Sequence, residues 1–276
     1  MRLASGKVHQ ARKRFGQNFL HDQAVINRIV SAISPGAGQH LIEIGPGQGA
    51  LTRPLAESDA KLDCVELDRD LAAHLRTTFA NNPQVHIHQQ DILKFDLHSV
   101  IDNAAPDSGL RIIGNLPYNI STPVMFHLLK QHELIADMTF MLQLEVVQRL
   151  AAQVGSKNYG RLGLMAQYYC QIEHLFNVPS AAFTPKPKVS SAIVRLTPHK
   201  TFPHQAKNVD TLQTVIRTAF NQRRKTLKNS LKAIISEDRI RALDIDASQR
   251  PENLFLSDYV RISDAISIEQ HSNEIR

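Results

Sequence analysis

The sequence predicts an α/β fold: a mostly parallel sheet covered by helices, followed by a small C-terminal helical domain. Three observations lead there. Short β-rich runs alternate with helical patterns over the first two thirds of the chain. At 197–208, TPHKTFPHQAKN, the composition shifts to a Pro- and His-containing linker. Beyond it no strand signal returns, and the apolar residues recur at helical spacing. The expected division is therefore 1–202 for the sheet domain, with a basic N-terminal arm, and 203–276 for the helical one.

Element by element, strands are expected at 40–44, 61–66, 84–88, 110–114 and 138–144, with later ones near 173–178 and 192–196. Helices are expected at 22–33, with Asp22 as N-cap, and at 68–79, where Asp68 and Asp70 suit the positive helix start. Another is expected at 121–131, with Ser121 as N-cap and Pro123 tolerated in the first turn. In the C-terminal part, Leu212, Val215, Ile216, Ala219 and Phe220 form one apolar stripe, and Leu227, Leu231, Ile234 and Ile235 another. A single helix through both would put Arg223 among the apolar positions. A break near 221–224, presenting a basic turn between two helices, resolves that conflict.

Composition narrows the classes. No apolar run approaches the roughly 18 residues of a membrane span, and residues 1–10 are basic without the apolar stretch of a signal peptide. Cys64 and Cys170 stand far apart with no CxxC companion, which argues against a disulfide framework or a zinc site and fits a cytoplasmic protein. The 13 histidines lack ligand spacing, so no metal is expected. Net charge is +6, and its distribution matters more than its size. Arg12, Lys13 and Arg14 sit in an arm that precedes the first acidic residue, and 221–232 carries Arg223, Arg224, Lys225 and Lys228 without an acid. Clusters of this kind suit a phosphate backbone, although solvated surface segments would look the same.

The strongest local signal is His40-Leu-Ile-Glu-Ile-Gly-Pro-Gly-Gln-Gly49, a strand running into a glycine-rich turn. Gly45, Gly47 and Gly49 permit a sharp turn and close approach of backbone to a ligand. The spacing is G-x-G-x-G rather than the G-x-G-x-x-G of dinucleotide sites. It is the pattern that S-adenosylmethionine-dependent methyltransferases of Rossmann-like fold look like, with the loop meeting the methionine half of the cofactor. Glu66, ending the second strand, can accept from the cis hydroxyls of a ribose; NAD and S-adenosylmethionine both carry one, so Glu66 alone does not choose. After the third strand, Asp91 is placed to accept from an adenine amino group, with Ile92 against the ring. The fourth strand points to the chemistry. It ends in Asn115-Leu116-Pro117-Tyr118, similar to the N/D-P-P-Y tetrad of amino-directed methyltransferases. The N6 amine of adenine is a weak nucleophile, its lone pair delocalised into the ring. The Asn115 side-chain oxygen and the Leu116 carbonyl can accept its two hydrogens, aim the lone pair, and leave Tyr118 to stack the base.

With these residues the chain resembles the ribosomal RNA adenine dimethylase family. Further landmarks are Arg12-Lys-Arg-Phe-Gly-Gln-Asn-Phe-Leu20, Ala182-Phe-Thr-Pro-Lys-Pro-Lys-Val-Ser-Ser191 and Phe220-Asn-Gln-Arg-Arg-Lys-Thr-Leu227. The resemblance implies that Asn18 and Leu20 close over the cofactor, that Gly45, Glu66, Asp91 and Asn115 are its other main contacts, and that Phe183 is a second aromatic wall opposite Tyr118. It implies transfer of methyl groups from S-adenosylmethionine to N6 of two adjacent adenosines in the loop of the last helix of 16S rRNA, during small-subunit assembly. Partly unstacked loop bases are cheap to present. Nothing demands a dimer, and a monomer is expected. The rivals are a resistance methylase acting on one adenine of large-subunit rRNA, a DNA adenine methyltransferase, an NAD-dependent dehydrogenase, and a non-enzymatic assembly factor. Of these, the dehydrogenase leaves Asn115-Leu116-Pro117-Tyr118 unexplained. The 182–191 and 220–227 motifs favour the small-subunit enzyme over the resistance methylase.

Overall fold

The computed structural model describes residues 18–101, 109–222 and 224–274, the side chains of 269–274 excepted. In chain order, a two-residue strand β1 (Phe19–Leu20) precedes α1 (Gln23–Ile33). Four strands then alternate with short helices: β2 (His40–Ile44), α2 (Thr52–Ala56), β3 (Lys61–Glu66), α3 (Arg69–Thr78), β4 (Val85–Gln89) and β5 (Leu110–Asn115). They are followed by α4 (Ser121–Leu129), β6 (Ile135–Gln143), α5 (Leu144–Leu150), α6 (Arg161–Tyr169), β7 (Cys170–Val178), β8 (Phe183–Thr184) and β9 (Ser191–Pro198). Beyond lie α7 (Val209–Phe220), α8 (Leu227–Leu231), α9 (Glu237–Ala242) and α10 (Leu256–Glu274).

Seven strands form one sheet in the order β4-β3-β2-β5-β6-β9-β7. The pairs from β4 through β6 are parallel, and β9 returns antiparallel to β6. The chain builds outward from β2 through β3 to β4, then crosses to β5 on the other side. That reversal opens a crevice at the carboxyl ends of β2 and β5, where parallel α/β sheets bind ligands. The central strands read as apolar runs because they are covered: Leu41, Ile42, Leu62, Cys64, Ile112 and Ile113 are all buried.

Asp22 and Asp68 cap as expected. Asp22 accepts from the N–H groups of Ala24 and Val25, and Asp68 from those of Asp70 and Leu71. Ser121 does not cap. Ile120 holds the cap position of α4, and the Ser121 hydroxyl donates instead to the Tyr118 carbonyl. β2 and β3 occupy the expected ranges, the other sheet strands start or end a residue or more away from theirs, and β6 begins three residues early. The small sheet of β1 with β8 has no counterpart in the sequence reading, because two-residue strands show no periodicity.

Two compact units emerge, divided differently from 1–202 and 203–276. The first comprises the described residues up to Val147 together with Ile172–Pro198; the second comprises Gln148–Gln171 and the described residues from His199 onward. The difference is α6. Its buried Leu162, Leu164 and Met165 belong with the C-terminal helices, where it packs on α7, although strand-forming segments surround it in sequence. Within the second unit α7 ends at Phe220 and α8 begins at Leu227, so the chain breaks near the expected position.

Candidate active site

The first unit holds a cavity of about 300 Å³, walled by the ends of β2, β3 and β5 and the segments that follow β3, β4 and β5. The glycine turn after β2 makes one wall. Gly45, Gly47 and Gly49 all adopt positive φ, at 65°, 60° and 80°. Gly47 also has company: a Cβ there would sit 3.4 Å from the Phe19 ring. The loop therefore runs directly beside the arm, and Phe19 lines the cavity together with Asn18 and Leu20.

Glu66 closes β3. Its two oxygens accept from the N–H groups of Gly47, at 3.1 Å, and Asp68, at 2.8 Å. These bonds lock the carboxylate against the glycine turn and leave it lone pairs for a diol. Burial pushes the Glu66 carboxyl above its ordinary value, while the two N–H donors pull the other way. Glu43, one strand over, is 2 % exposed. It accepts from the Thr52 hydroxyl at 2.7 Å, and burial raises its carboxyl to about 7, with the Glu66 charge adding to the rise. Asp91 turns one oxygen to the Leu93 N–H, which leaves the other for a ligand, and Ile92 is buried beside it. Glu43, Glu66, Asp68 and Asp91 line the cavity, and no Lys, Arg or His stands among its described lining residues. A carboxylate-rich, cation-free cavity with a diol acceptor and a glycine wall fits a positively charged nucleoside such as S-adenosylmethionine.

Asn115, Leu116, Pro117 and Tyr118 line the same cavity. Gly114 makes the tetrad possible: a Cβ there would come within 2.8 Å of a Leu116 methyl and 3.0 Å of the Ile44 carbonyl. Asn115 donates its side-chain amide to the Asn18 carbonyl at 3.3 Å. That bond turns the amide nitrogen toward the arm and leaves the Asn115 Oδ1 as an acceptor. The turn is closed by the Ile120 N–H on the Pro117 carbonyl, at 3.1 Å.

The structure thus gathers Asn18, Leu20, Gly45, Gly47, Glu66, Asp91, Ile92, Asn115, Leu116 and Tyr118 around one cavity. It does not bring Phe183 there. Phe183 is 3 % exposed, paired with Leu20 across β1 and β8, and sits in the apolar core with Ile193 and Met141. Among the basic candidates, Arg12, Lys13, Arg14 and Arg223 lie outside the described residues. Arg224 and Lys225 are exposed, whereas Lys228 is ion-paired with Glu237 at 3.3 Å. Sequence reasoning missed Phe19 and Asp68 as lining residues and the state of Glu43. Phe19 lies between two residues that it did name, and Asp68 was read only as a cap.

Residues 8–267 match the family model described as ribosomal RNA adenine dimethylase. A Marinobacter nauticus protein called ribosomal RNA small subunit methyltransferase A is 56% identical over 259 residues, 94% of this chain and 92% of that protein. One of the same name from Hahella chejuensis is 57% identical over 266 residues, 96% of both chains. Among solved structures, a dimethyladenosine transferase from Plasmodium falciparum superposes with a TM-score of 0.76 at 23% identity, covering 92% of this chain and 98% of that one. The 23S rRNA methyltransferase ErmE gives a TM-score of 0.69 at 24% identity, covering 91% and 100%. At those identities the two structures establish a shared fold.

Proposed function

The chain belongs to the ribosomal RNA adenine dimethylase family, and we propose that it dimethylates N6 of two adjacent adenosines in the loop of the 3′-terminal helix of 16S rRNA. The observation that carries this reading is that Asn115-Leu116-Pro117-Tyr118 lines the same cavity as the nucleoside acceptors Glu66 and Asp91. When bound, S-adenosylmethionine supplies an electrophilic methyl group on a sulfonium. Glu66 would take its ribose hydroxyls, Asp91 and Ile92 its adenine, and the glycine turn its amino-acid end, with Asn18, Phe19 and Leu20 covering it.

The chain's own residues then have to present the target amine. Asn115 Oδ1, oriented through its amide bond to Asn18, accepts one N6 hydrogen, and the Leu116 carbonyl the other. These contacts localise the lone pair and stabilise the positive charge that grows on N6. Tyr118 stacks on the base, a contact worth roughly 1–3 kcal/mol. No strong general base is required, since the amine proton becomes acidic only as the methyl group arrives. The enzyme works as a monomer in the cytoplasm on assembling small subunits, with Arg224 and Lys225 on the phosphate backbone. No described helix is long and apolar enough to cross a membrane.

The test is transfer of labelled methyl from S-adenosylmethionine to small subunits lacking the adenine methyls, with the modified nucleotides identified. Dimethyladenosine at two adjacent positions near the 3′ end is expected. Label confined to large-subunit RNA would move the substrate to the other subunit. Asn115→Ala should lower the transfer rate about 10²-fold or more while subunit binding persists, separating catalysis from any assembly role.

A further inference from the structure

We propose that Ser191 is a positioning residue for methyl transfer: its buried hydroxyl holds the Tyr118 phenol and fixes the plane on which the target base stacks. This rests on the stacking role given to Tyr118 above. Ser191 opens β9 and is fully buried. Its Oγ lies 2.9 Å from the Tyr118 hydroxyl, a hydrogen bond in which either can donate. The serine is itself anchored, since Ser191 pairs with Gln143 on β6 and the neighbouring Ser190 carbonyl accepts the Leu144 N–H at 3.0 Å.

Tyr118 is consequently held at both ends. At its main chain, the carbonyl accepts from Ser121 at 3.2 Å within the turn closed by Pro117 and Ile120. At its tip, the phenol meets the sheet at the first residue of β9. A tyrosine on a turn has two free side-chain torsions, and a base stacked on it must wait for the correct pair of them. Tethering the tip to a rigid strand removes that search before substrate arrives, the same pre-organisation that makes oriented groups effective in catalysis. The arrangement also gives tyrosine an advantage over phenylalanine at 118, since only tyrosine can reach the anchor. Ser191 touches neither reacting atom, so its effect has to pass through the ring.

The test is a double-mutant cycle read by single-turnover methyl transfer to undermethylated small subunits, with cofactor saturating. Ser191→Ala and Tyr118→Phe should each slow the chemical step about five- to tenfold, the worth of one net hydrogen bond. The Kd for subunits should change by less than about twofold, and the double variant should be no slower than either single one. Ser191→Thr, which keeps a hydroxyl on a strand position, should recover most of the rate. If Ser191→Ala does not fold, Tyr118→Phe cuts the same bond from the less buried side and must show the loss. Additive losses in the double variant, or a wild-type rate in either single one, overturn the tether. Tyr118→Ala at the wild-type rate overturns the stacking role and the tether with it. Additive losses beside an inactive Tyr118→Ala overturn the tether alone.

Discussion

Asp63 and Glu66 stand three residues apart on β3, both almost fully buried, yet their carboxyls move in opposite directions. Burial pushes both up. At Asp63 it is overcome, because His40 from β2 and His88 from β4 each bring a ring nitrogen to one of its oxygens. A carboxylate can only accept, so both Nε2 atoms carry their proton and the cluster is complete within the protein. Glu66, at the cavity, has backbone N–H groups alone and stays above its ordinary value. Glu43, with Thr52 and a distant Cys64 thiol, rises to about 7. One end of the sheet satisfies its buried charge from inside. The other leaves acceptors under-satisfied beside a cavity, as expected where a ligand completes the set.

The contrast breaks first at Asp63. Replacing it with alanine strands two histidines that were hydrogen-bonded to a buried charge, and should cost about 3 kcal/mol or more of stability in denaturant unfolding. Cofactor affinity, measured by calorimetry on the folded variant, should stay within about twofold. A variant that binds cofactor poorly yet unfolds normally would erase the distinction.

Glu43 sharpens it through pH. Its folded value of about 7 lies above the unfolded one of 4.5, so its ionised form disfavours the native state. The associated stability is complete below pH 4.5 and is lost as pH rises through 7, a change of about 3 kcal/mol. Asp63 acts with the opposite sign and elsewhere, contributing above 3.8 and losing that contribution as pH falls through its lower folded value. Unfolding of the cofactor-free protein between pH 5 and 7 should accordingly show a downward slope that Glu43→Gln flattens.

Glu66→Gln should reverse the pattern seen for Asp63. Cofactor affinity should drop about tenfold, the value of hydrogen bonds to a charged acceptor. Stability should fall by about 1 kcal/mol, less than at Asp63, because the amide nitrogen cannot accept from one of the two N–H groups that Glu66 holds. The smallest effect is expected in the second unit. Converting exposed Arg224 and Lys225 together to alanine should weaken RNA binding and lower its salt slope by about one for each phosphate no longer neutralised. An unchanged slope would remove both from the RNA surface.

Much of the site was legible because it is local. A glycine turn, a strand-end acid and a strand-to-turn tetrad each sit within a few residues of a strand whose apolar run announces it, and a parallel sheet lines such ends up side by side. The capping of α1 and α3 by Asp22 and Asp68 was equally local. The basic turn was legible as composition, but Lys228 proved to be ion-paired with Glu237 on the next helix, which charge counting cannot register.

What the sequence determined by itself was therefore the succession of the main sheet strands, the glycine turn after β2 and the placing of residues 115–118 at the end of β5, all read at separations of a few residues. Tertiary structure alone decided the rest. It paired Leu20 with Phe183, burying a ring expected in the cavity; it gave α6 to the helical unit; and it joined Tyr118 to Ser191 across 73 positions. It also moved the carboxyls of Asp63 and Glu66 in opposite directions from their ordinary values, groups identical in kind along the chain and different in what stands beside them. The physical reason is that periodicity and propensity report on neighbours along the chain. Burial and hydrogen-bond partners depend on neighbours across the sheet, and these exist only once the strands have assembled.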